Sequence, residues 1–91
     1  MMLSLPESLM HSTATASLTE LLQALPAQPA GDVVVDASRL QRFDSSALAV
    51  LLELRRAGLK LQRTLSLQGL PPRLADLARL YGIAELLSLQ A

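Results

Sequence analysis

Val33-Val34-Val35-Asp36 and, after a short connection, Asp44-Ser45-Ser46-Ala47-Leu48-Ala49-Val50-Leu51-Leu52 decide how this chain folds. The three valines are a β-branched run opened by Gly31-Asp32 and closed by Asp36. With no polar alternation, the run reads as a strand covered on both faces, as in a parallel sheet. Ala37 to Phe43 reads as a loop. Asp44 then offers a helix N-cap, and the helix is expected to run to about Ala57, where Gly58 stops it.

Working outward, strands and helices alternate. Met2 to Leu5 alternates apolar and polar up to Pro6 and is a candidate short strand. Glu7 to Thr13 reads as turn. Leu18, Leu21, Leu22 and Leu25 have helical spacing, with Ser17 and Glu20 set as a capping box and Pro26 as the stop. Ala27 to Gly31 is a linker loop. Leu65 and Leu67, separated by Ser66, predict a strand before Gly69. Pro71 and Pro72 suit a helix first turn, and Leu74, Leu77, Ala78 and Tyr81 form its apolar stripe up to Gly82. Ile83 to Leu89 reads as a last short helix. The expected fold is therefore α/β: one domain over 1–91, with a mostly parallel or mixed sheet of about four strands and helices packed on it.

Composition narrows the function. The chain has 91 residues, 8 basic and 8 acidic, so its net charge is zero. That balance argues against gripping nucleic acid or an anionic membrane. There is no Cys and one His, so neither a disulfide framework, a thiolate metal site nor a His-rich metal site is expected. Phe43 and Tyr81 are the only aromatics, too few for a base-stacking platform. Leu is abundant, yet the longest apolar run is only Ala47 to Leu52, far short of the ~20 residues that span a bilayer. No basic residue precedes Glu7 and no signal-peptide layout is present, so the chain reads as soluble and intracellular.

The helix at Asp44 carries the candidate site. Ser45 and Ser46 follow the capping Asp, where backbone N–H groups are unpaired and the dipole is positive, a place that stabilises a phosphate or a partner's carboxylate. Plain capping is the alternative role for both hydroxyls. At 100° per residue, Ala47, Leu48, Val50, Leu51, Leu52 and Leu54 sweep more than half the circumference, wider than one sheet face needs. Either neighbouring helices or a partner protein covers the rest. Ala47 and Ala49 allow close backbone approach, or simply favour helix. No catalytic constellation is visible: His11 sits in a polar turn with no route to Ser45, there is no Gly-x-Ser-x-Gly elbow, and the glycines are too scattered for a phosphate loop. Arg39, Arg42, Arg55, Arg56 and Arg63 are a candidate basic patch that reads better as a solvated face.

These residues resemble the STAS domain family. The resemblance covers nearly the whole chain and is carried by Val33 to Asp36, by Asp44-Ser45-Ser46-Ala47-Leu48-Ala49 with Leu51-Leu52, by the Leu65–Gly69 strand and by the amphipathic helix after it. Within the family, Ala47 and Ala49 stand where anti-sigma-factor antagonists usually carry Gly, whereas the motif and Leu77-Ala78-Arg79-Leu80-Tyr81 are closer to the MlaB-like subunit of a bacterial phospholipid transporter. One N-terminal strand is expected where relatives have two.

The resemblance implies a non-catalytic, cofactor-free subunit. It would bind and support the ATPase of an inner-membrane ABC transporter that maintains outer-membrane lipid asymmetry in Gram-negative bacteria. It would be cytoplasmic and touch the membrane only through that complex. Ser45, with Ser46 beside it, would lie at the ATPase contact, and the helix start and face add Asp44, Ala47, Leu48, Ala49 and Leu52 to the partner-binding set. The alternative is an anti-sigma-factor antagonist phosphorylated on Ser45 by a partner kinase. A homodimer is a further expectation when the partner is absent. A carrier protein bearing a prosthetic group on Asp44-Ser45 is disfavoured by the neutral charge and the strand at Val33 to Val35.

Overall fold

β-branched side chains fit the pleated surface of a sheet, and Val33–Asp36 takes its central position. In this computed structural model, which describes residues 2–27 and 33–83, the strands are β1 (Met2–Ser4), β2 (Ser8–Leu9), β3 (Val33–Asp36), β4 (Arg42–Phe43) and β5 (Leu65–Gln68). The helices are α1 (Ala14–Ala24), α2 (Ser46–Lys60) and α3 (Pro72–Leu80). The order in the main sheet is β1-β3-β5, all parallel, while β2 and β4 pair in parallel as a two-stranded extension. The expected small α/β fold is the one observed. Its strands number five among the described residues, two of them only two residues long.

Both crossovers, through α1 and through α2, step in the same direction across the sheet. Right-handed connections therefore put both helices on one face, and the two pack against each other. Register sets which side chains meet them. Leu3 lies beside Val35, Val35 beside Leu67 and Val33 beside Leu65, all on one face. Leu3, Leu5, Val33 and Val35 are buried there with Leu21 and Leu25 of the α1 segment and Leu48, Val50, Leu51 and Leu54 of α2.

The opposite face carries Ser4, Val34, Asp36, Ser66 and Gln68, none of them buried. The expectation that Val33 to Val35 is covered on both faces is thus corrected: Val34 is half-buried, and the polar neighbours around it keep that face wet. A run of three valines cannot show this, since a β-branched residue is favoured on either face.

Four boundaries also differ from expectation. A second N-terminal strand exists: Ser8–Leu9 lies in the stretch read as turn, with Leu9 fully buried. The loop expected over Ala37 to Phe43 contains its partner, Arg42–Phe43. α1 begins at Ala14 rather than Ser17, with Thr13 as N-cap, so the Ser17/Glu20 capping box is not formed. Thr13 Oγ1 instead accepts the Met10 N–H at 3.2 Å. α2 continues past Gly58 to Lys60.

Gly58 is buried because a Cβ there would come within 3.3 Å of Leu65 Cγ, so it lets α2 approach β5. The actual stop is Gln62, in the left-handed region at φ 58°. Arg63 N–H returns to the Gly58 carbonyl (2.8 Å) and Gln62 N–H to that of Leu59 (3.0 Å). This is a two-bond helix terminator built without glycine at its left-handed position. α3 ends the same way with the expected Gly82, at φ 72°. Most of the Ala27–Gly31 linker and the expected helix beyond Ile83 lie outside the described residues.

Gly69, at φ 70°, is where the β5–α3 turn meets the β3–β4 loop, and an added Cβ would sit 2.9 Å from Ser38 Cβ. Gly69→Ala is expected to cost about 2 kcal/mol in urea unfolding, from the left-handed backbone plus this clash. Adding Ser38→Gly should restore part of that loss and leave the backbone share.

Candidate functional site

The site grows from the end of β4. Phe43 is half-buried, and the chain turns out of the sheet at Asp44 directly into α2. The Asp44 carboxylate satisfies two backbone donors from distant parts of the chain. Its Oδ1 accepts the Ser46 N–H at 2.8 Å and its Oδ2 accepts the His11 N–H at 3.0 Å. These two bonds, the His11 bond first, hold the Asp44 carboxyl below the usual carboxylate range.

Asp44 therefore does the work expected of a cap, but from one residue before the N-cap. Ser45 occupies the N-cap position itself, with helical φ and ψ and no side-chain capping bond. It is exposed. Its carbonyl accepts the Leu48 N–H at 3.1 Å, so the backbone is engaged, and no hydrogen bond of the hydroxyl is found among the described residues. Ser46 is half-buried.

Further along α2 the expected partner-binding residues divide. Ala47 and Leu48 are 0% and 3% exposed and belong to the core, so any contribution they make to a contact is indirect. Ala49 is exposed, whereas Leu52 is half-buried and packs against the core. The broad apolar sweep is covered from within the chain, by the sheet on one side and by α1 on the other. Its width therefore no longer argues for a partner.

One neighbourhood was not legible in the sequence. His11, Ala14, Thr15 and Leu18 from the start of α1 face Ser46, Ala49, Val50 and Glu53 of α2 across an open cavity of about 250 Å³. Small residues at Ala14, Ser46 and Ala49 open this gap between two packed helices. His11 is therefore close to the α2 start after all, brought there by a backbone bond rather than by its ring. No hydrogen bond joins the His11 side chain to Ser45 or Ser46 among the described residues, so a nucleophile–base pair is not assembled.

The five arginines do not act as one patch. Arg63 reaches back to the Leu25 carbonyl at 2.9 Å and fastens the end of α1 to the α2–β5 loop. Arg56 lies 4.0 Å from Glu53. Arg39 and Arg42 sit at the opposite end of α2, near Asp44, where Arg73 of α3 stands 5.6 Å above the centroid of the Phe43 ring. Tyr81 is 57% exposed, so it is a surface residue and not the packed end of the α3 stripe. Among the described residues no group of three His, Cys, Asp or Glu is placed to hold a metal ion, and no helix is long and apolar enough to cross a membrane.

A one-sided parallel sheet, two helices crossing over it and an exposed hydroxyl at a capped helix start define a small α/β domain of the STAS class. The chain belongs to the family described as "Mlab, STAS domain", whose model matches residues 1–88. No curated protein matches the chain.

Because the Asp44 carboxyl is held low in the folded state, the stability it contributes is present above the ordinary carboxylate value and is lost as pH falls through its lower folded value. Asp44→Asn should therefore melt below wild type at pH 7. The two melting curves should converge only as pH falls through the lowered folded value of Asp44, where the wild-type side chain also becomes neutral.

Proposed function

We propose that this chain is a non-catalytic STAS subunit that binds and supports the ATPase of an inner-membrane ABC transporter. The transported phospholipid would serve outer-membrane lipid asymmetry, and the chain would reach the membrane only through the complex. The family name supports the transporter branch. The observation that carries the contact is the arrangement at the start of α2: Asp44 takes over the capping bonds, and Ser45 is left exposed with a free hydroxyl.

Ser45, Ser46 and Ala49, with Asp44 behind them and the half-buried Leu52 further along α2, form the proposed contact. The adjoining cavity between α1 and α2 has room for one large apolar side chain of the ATPase, of the kind that anchors interfaces. Such a contact asks no chemistry of the subunit. It needs a rigid helix end, which the capping bonds and the buried face of α2 supply.

The same exposed hydroxyl favours one other reading. A kinase could reach Ser45, and its phosphate would gain from the helix N-terminus and be opposed by Asp44. That is the anti-sigma-factor-antagonist mode. Intact-mass measurement on protein from its own cells separates the two, since stoichiometric phosphorylation belongs only to the switch.

The direct test is co-purification with the ATPase. Ser45→Arg and Ala49→Trp are each expected to lower recovery of the ATPase about tenfold or more, with an unchanged circular dichroism spectrum, because both side chains are exposed in the free domain. Undiminished recovery with both variants would move the interface elsewhere.

A further inference from the structure

Three exposed arginines lie on segments that meet at the end of the sheet where the proposed contact lies. Arg39 is in the β3–β4 loop, Arg42 in β4 and Arg73 in the first turn of α3, and all three are exposed. Two packing contacts bring their segments together. Ser38 lies against Gly69, which joins the Arg39 loop to the turn leading into α3. The Arg73 guanidinium lies over Phe43, the residue between Arg42 and Asp44.

None of the three makes a side-chain hydrogen bond or an ion pair within 4 Å among the described residues, although the Asp36 carboxyl, held low chiefly by the Ser38 N–H, is also lowered by the nearby charge of Arg39. In contrast, Arg63 and Arg79 are both engaged by hydrogen bonds. Arg73 is also placed against the helix dipole, where a cation is disfavoured. The stability of α3 therefore does not explain it.

Two of the three carboxylates nearby are already engaged by backbone N–H groups. Asp36 accepts the Ser38 N–H at 3.0 Å, and Asp44 accepts from His11 and Ser46. The edge thus presents three planar donor forks with no hydrogen-bonded acceptor among the described residues, beside two carboxylates that already accept backbone N–H groups. An arginine fork matches a carboxylate in a two-bond geometry.

We infer that the ATPase surface meeting this edge carries carboxylate side chains that pair with Arg39, Arg42 and Arg73. This rests on the reading that the α2 start is the ATPase contact, and it adds the chemistry of the partner. A protein surface fits better than a lipid surface. Glu7, Asp36 and Asp44 sit among the arginines, and a uniformly anionic bilayer would repel them, whereas a protein can set its acids opposite each arginine in register.

The test compares wild type with the triple variant Arg39→Glu, Arg42→Glu, Arg73→Glu and its neutral counterpart with Gln at the three positions. Lys60→Glu, at the far end of α2, is the control. Binding to the purified ATPase is measured at about 50 and about 400 mM salt, and melting of each free domain checks its folding. The expected result is roughly hundredfold weaker binding for the Glu variant and a smaller loss for the Gln variant. Wild-type affinity should fall with salt more steeply than that of either variant, and Lys60→Glu should bind like wild type.

Equal binding by wild type and both triple variants would overturn this inference and leave the ATPase reading standing. Failure of wild type itself to bind would overturn both. Salt-sensitive sedimentation of wild type, but not of the Glu variant, with phosphatidylglycerol vesicles would assign the arginines to lipid and overturn the protein pairing.

Discussion

A three-stranded parallel sheet cannot be closed by hairpins; each step needs a crossover that returns the chain to the starting end. In this chain both crossovers move the same way, from β1 to β3 and from β3 to β5. That single constraint places α1 and α2 side by side on one face. It also gathers the strand C-termini and the starts of α2 and α3 at one end. The core, the cavity between the helices and the cluster at Asp44 all follow from it. The sheet buries leucine and valine on the helix side and leaves Ser4, Ser66 and Gln68 in water on the other.

Asp44 then fixes what the gathered end looks like. Its two oxygens bind N–H groups from the start of α2 and from the segment before α1, thirty-three residues away in sequence. This holds the two helix starts at a set spacing, and the cavity between them keeps its shape because both of its walls are attached to one carboxylate. The small residues Ala14, Ser46 and Ala49 leave it open. A partner meeting this end finds a preformed surface, so little ordering entropy opposes binding.

Much of this was legible in the sequence, and what was not has identifiable causes. The β-branched run Val33 to Asp36, the alternation over Leu65 to Gln68 and the α3 stripe as far as Ala78 carry strong signals and fall where expected. β2 and β4 have two residues each, too few to show a period, and exist only because they find each other across the fold. Gly58 looks like a helix stop because glycine commonly is one, yet it serves packing against Leu65 while Gln62 takes the left-handed position without any sequence mark. At the site, the capping role of Asp44 was readable from its type and place. The approach of His11 was not, because it uses the backbone N–H, which every residue but proline has. The Arg73–Phe43 pairing was equally hidden, since it depends on how α3 leans on β4.

The division of labour at the start of α2 has a consequence for how such a domain can change. Had Ser45 been the cap, its hydroxyl would be committed to the helix, and any alteration at the contact would disturb the fold. With Asp44 capping from one position earlier, the hydroxyl at the proposed contact is left out of the helix cap. Ala47 and Leu48 face inward and answer only to packing, whereas Ser45 and Ala49 are exposed. A helix turn in which inward and outward residues alternate so closely transmits rigidity to its exposed positions without constraining their identity. That is the property a binding surface needs if its affinity is to be tuned independently of its stability.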